Sequence, residues 1–296
     1  MWIKAIGLLF CAVAVTQSYV PNRVYDSTRG AFSDFEAMAA ELATADVVFV
    51  GEQHDDPNTH RLELAVLEAL ARRKRSVVLS LEMFERDVQE PLEHFLLGHT
   101  SEDDFLKESR PWPRYATDYK PLVDLAVEKS WPVVAANVPR PIASEVAKSG
   151  LDVLKAKSDE DRRMFARDLV CPANDDYFKR FVEAMGGHPV AGAAADEAAR
   201  TNERYYQAQC VKDETMAESI ADAFTAAAAR APATVVHMNG AFHSDYGQGT
   251  AARVKRRLPG KRVVVLSIRP VADLDAIAST AEDRKLGEFV VYTVRK

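Results

Sequence analysis

Short runs of β-branched and aliphatic residues, each closed by glycine, proline or polar residues, recur along the chain and read as strands. They fall at 47–50 (VVFV), 76–81 (SVVLSL), 132–136, 233–238 (ATVVHM), 262–268 and 288–294. Apolar residues at helical spacing predict helices over 34–42, 57–74, 87–98, 119–129 and 250–258, set before or between those strands. From about 141 to 230 the strand signal disappears, and the pattern predicts helices at 142–149, 158–170, 174–185 and 196–230. The order is therefore βαβαβ, an all-helical insertion, then βαββ. Such alternation predicts an α/β fold: a mostly parallel central sheet flanked by helices, with the insertion between two βα halves.

The polar residues that close these strands are chemically similar. The first strand ends in Glu52 and His54, the second in Glu82, the third in Asn137 and Arg140, and the fourth in Asn239 and His243. The carboxyl ends of parallel strands lie along one edge of a sheet, so groups far apart in sequence can meet there. Two histidines and two glutamates suit a divalent metal such as Zn or Mn. The same set suits metal-free hydrolysis, with a histidine as base and a carboxylate orienting it. Arg140 would take a carboxylate or oxyanion. Against these stands a purely structural reading, in which Glu82 and Arg140 pair and His243 packs at a strand end. No HExxH, P-loop, GxSxG or GxGxxG signature occurs in a useful context. His60, His94 and His99 read as surface or capping residues, and His237, inside a strand, as a core histidine. Asp213 and Glu214 read as a solvated or ion-paired helix face.

Composition narrows the class. With 296 residues, 47% hydrophobic and 28% charged, this is an ordinary globular chain. A net charge of −6 argues against a general nucleic-acid binder, and the basic run Arg253–Arg257 reads as a helix face. Residues 1–18 read as a signal peptide, with Lys4 ahead of an apolar stretch too short to span a bilayer. The expected mature chain, 19–296, has no transmembrane span and keeps Cys171 and Cys210. In an oxidising compartment these can pair, although sequence does not fix their distance.

GEQH at Gly51–His54 and GAFH at Gly240–His243 form a duplicated G-x-x-H pattern. With Glu82, LEMFERD, NVPR, the GGH at Gly186–His188 and QAQCVKDETMA, the chain resembles the superfamily of ChaN haem-binding proteins, Tiki-type proteins and erythromycin esterases, most nearly its ChaN branch. The resemblance spans about residues 45–270. It implies an exported protein of the periplasm or cell envelope, linked to haem and iron uptake, that holds haem between two subunits with tyrosine on the iron. Tyr177, Tyr205 and Tyr206 are the candidate ligands, with His188 and Arg140 as further haem contacts. The insertion, rich in Phe178, Phe181 and Met185, is expected to offer an apolar surface to a porphyrin. The esterase and Tiki side of the resemblance implies instead a hydrolytic or metal site at Glu52, His54, Glu82 and His243.

Overall fold

The computed structural model describes residues 20–73, 76–185 and 195–296. The expected signal peptide and His188 lie outside the described residues. Eight strands form one sheet: β1 (Asn22–Asp26), β2 (Ala31–Ser33), β3 (Val47–Glu52), β4 (Ser76–Glu85), β5 (Val133–Asn137), β6 (Ala233–Gly240), β7 (Val263–Val271) and β8 (Phe289–Val294). Their spatial order is β2-β1-β8-β7-β3-β6-β4-β5. The six strands from β8 to β5 are parallel, and β1 and β2 add an antiparallel edge. No described helix is long and apolar enough to cross a membrane.

Alternation along the strands assigns the two faces. Val48 and Val50 pack with Leu62, Val66, Leu67 and Leu70 of the helix Pro57–Arg72. Val47 and Phe49 point the other way, onto Ala217, Ile220 and Phe224 of the long helix Ala195–Ala228 and onto Val254 of the helix Gly249–Arg257. Both faces are covered, and this explains the nearly continuous apolar runs. After β3 the chain crosses over β6 to reach β4, whereas after β6 it crosses over β3 to reach β7. Adjacent strands whose connections leave in opposite directions open a crevice at their carboxyl ends.

Three local departures from the sequence pattern have physical causes. The entry segment forms β1 and β2 rather than a loose lead-in, because Val24, Tyr25 and Asp26 are buried beside β8. β4 continues through Glu82 to Glu85, past a register shift against β5. The expected helix at 158–170 shrinks to Asp159–Arg162. Beyond it, the backbone N–H groups of Ala166, Arg167 and Val170 donate to Thr215, Glu218 and Glu214 of the long helix, at 3.1, 3.0 and 3.3 Å. This segment ends at Cys171, which is disulfide-bonded to Cys210 of the long helix with their Cα atoms 5.7 Å apart.

Candidate functional site

The two G-x-x-H motifs meet in the crevice. β3 and β6 are in register there, with Glu52 beside Gly240. Both glycines permit close approach. A Cβ on Gly51 would lie 3.1 Å from the Ala241 Cα, and one on Gly240 would lie 2.6 Å from His54 Nε2. His54 Nδ1 pairs with Glu52 Oε1, which also accepts a 2.9 Å hydrogen bond from the Tyr119 hydroxyl. The His54 ring, half exposed, stands edge-on to Trp112 at 5.1 Å. It lines an open cleft of about 580 Å³ with His243, Arg180, Phe242, Tyr246 and Arg269.

Behind Gly240 lies a second His–carboxylate pair. Glu82 accepts from the Gly240 N–H at 2.8 Å and faces His243 Nε2 at 3.3 Å. His243 Nδ1 lies 2.7 Å from Asp213 Oδ1. Asp213 is itself held by the hydroxyls of Thr250 and Tyr177, each at 2.8 Å.

Electrostatics follows from this geometry. Burial opposes a charge on His243, but the Glu82 and Asp213 carboxylates outweigh it and raise its pKa to about 10. Burial likewise opposes ionisation of Glu82, and the His243 charge overcomes it and lowers Glu82 to about 2. His54 is raised: burial works against its charge, but the Glu52 hydrogen bond and the Glu82 charge prevail. Burial and the neighbouring Glu52 push the Tyr119 hydroxyl well above the usual phenol range.

Glu52, His54, Glu82 and His243 thus gather at one edge as two separate pairs. Within the described residues they do not close into a single coordination sphere. The grouping whose ligand atoms all lie within 4.8 Å of one another is Glu52 with His60 and Glu63. His60 corrects the surface reading, because it is 4% exposed and sits 3.0 Å from Glu63 and 3.5 Å from Glu52. Burial opposes its charge, yet these carboxylates raise it to about 11. His94 and His99 are exposed. His237 is a core histidine, lowered to about 3 by burial, with its Nδ1 2.9 Å from the Ser80 hydroxyl.

Of the two readings of Asp213 and Glu214, solvated or ion-paired, the structure shows the second: both are ion-paired and fully buried. Glu214 contacts three of the four cations of the basic run: Arg253 and Arg256 lie 3.2 and 2.7 Å away, and Arg257 also pairs with it. Asn137 does not reach the cleft; its side chain donates to the Glu82 carbonyl at 3.0 Å. Arg140 is exposed and lies 3.9 Å from Glu85 rather than against Glu82.

The candidate tyrosines separate by exposure. Tyr177 and Tyr206 are buried, whereas Tyr205 is 41% exposed. Burial and the Asp213 charge push the Tyr177 hydroxyl well up, and burial and Asp175 raise Tyr206 to about 12. Phe178 and Phe181 pack edge-on to Tyr206 at 4.9 and 5.6 Å. The aromatic residues of the insertion therefore form a small core rather than a bare apolar wall. Sequence reasoning missed Tyr119, His60, Glu63 and Asp213.

A mostly parallel α/β sheet thus carries paired His–carboxylate groups at its switch point. The chain belongs to the family described as haem-binding uptake, Tiki superfamily, ChaN, whose model matches residues 38–254. ChaN of Campylobacter jejuni, which binds haem cofacially, superposes with a TM-score of 0.68 at 16% identity, covering 93% of this chain and 97% of that one. A Bacillus cereus protein gives 0.50 at 10% identity, covering 87% and 90%. At these identities the likeness establishes the fold alone. An erythromycin esterase mutant in its open conformation is more distant, at 0.45 and 12% identity, covering 88% and 79%. No curated protein matches the sequence significantly.

Proposed function

We propose that this chain is an exported haem-binding protein serving haem or iron uptake, and that Tyr205 ligates the iron. Family membership carries the haem reading. The exposure of Tyr205 supports the ligand assignment, because a phenolate must reach solvent-side iron, whereas Tyr177 and Tyr206 are enclosed. Haem, when bound, supplies the iron; the protein supplies an anionic oxygen ligand and the fold that presents it. Holding haem between two copies would shield the faces of the porphyrin from water. The disulfide supports export, since such bonds persist in oxidising compartments.

A hydrolytic role, with or without Zn or Mn, is the second reading. It is favoured by His54, whose Nδ1 is held by buried Glu52 while its ring lines the cleft. Titration with haemin, followed by visible spectrum and by dimer fraction, separates the two. The haem reading expects a saturable complex that loses its tyrosinate spectrum in Tyr205→Phe and keeps it in His54→Ala. Absence of a saturable complex, together with ester cleavage that Glu52→Gln abolishes, would replace it with the second reading.

A further inference from the structure

Beneath His54, three buried side chains converge with more acceptors than donors. Glu52 commits one oxygen to His54 and Tyr119, while its Oε2 has no hydrogen-bond partner. Glu63, fully buried, places Oε2 3.0 Å from His60 Nδ1 and leaves Oε1 without a partner. A single imidazole N–H therefore faces two carboxylates, each of which keeps one buried oxygen without a hydrogen-bond partner. Buried carboxylates facing one another require a proton or a cation between them.

We propose that Glu52, His60 and Glu63 form a buried site for a first-row divalent cation, separate from any haem seat. Their ligand atoms already lie within 4.8 Å of one another. One imidazole with two carboxylates is a donor set suited to Zn²⁺ or Mn²⁺. The orientation of His60 fits this role independently. Its Nδ1 faces the carboxylates, while its Nε2 lies 3.2 Å from the His54 carbonyl and 3.4 Å from Asp118 Oδ2. A ligating histidine characteristically donates its second N–H to a carbonyl or carboxylate, which fixes the ring and raises its basicity. Asp118 is held in turn by Arg114 Nε and the Thr117 hydroxyl, each at 2.8 Å. His60 and Glu63 share one face of the helix Pro57–Arg72, three residues apart, while Glu52 comes from the end of β3. The site thus clamps the helix to the central strand.

The test uses the full chain, purified without a histidine tag and dialysed separately against Zn²⁺ and Mn²⁺. Elemental analysis should find one ion per chain that survives desalting, and the loaded protein should melt at a higher temperature than the chelator-treated one. Replacing the ion with Co²⁺ should give visible d–d absorption shifted and intensified relative to aqueous Co²⁺. Glu63→Gln matches a protonated Glu63 in shape, so it should fold yet hold no ion. Asp118→Asn, which leaves the ligands intact, should weaken affinity roughly 10- to 100-fold. Metal retained undiminished in Glu63→Gln would sit elsewhere, at the cleft histidines His54 and His243 or at the exposed His94–His99 pair, whose rings lie 6.2 Å apart, and would overturn the proposal. So would a chain that binds neither ion. Should Glu63→Gln fail to fold, unchanged affinity in Asp118→Asn or a Co²⁺ spectrum identical to that of the aqueous ion would overturn it equally.

Discussion

Replacing both Cys171 and Cys210 with alanine should destabilise the chain by about 3–4 kcal/mol. The bond spans a sequence separation of 39 residues. Closing a loop of that length removes about 13 cal/mol/K of chain entropy from the unfolded state, which is about 4 kcal/mol at room temperature. Residual compactness of the unfolded chain makes this an upper figure. In the folded state the bond anchors the irregular segment that follows Arg162, which is also tied to the long helix by the three N–H donations to Thr215, Glu218 and Glu214, by the Arg167 side chain on Glu218 and Asp222, and by Phe165 packing with Ala208 and Val211. Urea titrations of the wild type, with and without reductant, and of the double variant form the assay. The reduced wild type and the variant should agree, and both should show a steeper urea dependence, because an uncrosslinked chain exposes more surface on unfolding. A loss below about 1 kcal/mol would refute the entropic reasoning, since the loop term in that relation cannot become so small at this length.

Gly240→Ala puts a methyl 2.6 Å from His54 Nε2 and should swing the imidazole off Glu52. NMR titration should show the His54 pKa falling from its raised position, with about 1.5 kcal/mol of stability lost below that pKa, the low end for a charged hydrogen bond because the ring is half exposed; an unchanged His54 pKa would sink the steric argument. The Glu82–His243 pair predicts a pH plateau in stability. His243, raised from 6.5 to about 10, contributes fully below pH 6.5 and loses its contribution as pH rises towards 10. Glu82, lowered from 4.5 to about 2, contributes fully above pH 4.5 and loses its contribution as pH falls towards 2. Unfolding free energy should therefore be greatest between about pH 4.5 and 6.5 and decline on both sides, with His243→Gln flattening the alkaline limb. In chelator-treated protein His60, raised to about 11, adds to that same limb, so there the variant should flatten it without abolishing it. A His243→Gln alkaline limb as steep as the wild type's would contradict the assignment.

The central strands were legible because they are buried on both faces, and continuous valine runs have few other readings. The strand-end residues were legible for a related reason: a polar group at the end of a buried strand has to face the sheet edge. The buried polar residues on helices were harder to see. In the long helix, Tyr206, Cys210, Asp213, Ala217, Ile220 and Phe224 follow each other at spacings of four and three, all buried. Asp213 occupies an apolar stripe, and that phase was the available signal; its neighbours Lys212 and Glu214 made it look solvated. Glu63 is in the same position between Thr59 and Val66. β1 was hidden because polar Asn22, Arg23 and Asp26 interrupt any alternation, and three-residue β2 was too short to show one; the strand character of β1 comes from pairing with β8 and that of β2 from pairing with β1. The shortened helix at 158–170 reflects tertiary capture of its N–H groups by side chains that no local pattern announces.

Glu52 turns one oxygen towards His54 and Tyr119 and the other towards His60. One carboxylate therefore divides a fixed negative charge between a group lining the open cleft and a group sealed in the core. Whatever draws that charge inwards leaves His54 less basic, and whatever protonates or engages His54 weakens the hold on His60. The two effects are equal in free energy, because binding linkage is reciprocal. The cleft and the interior of this sheet consequently form one thermodynamic unit, and the basicity of His54 reports the state of His60.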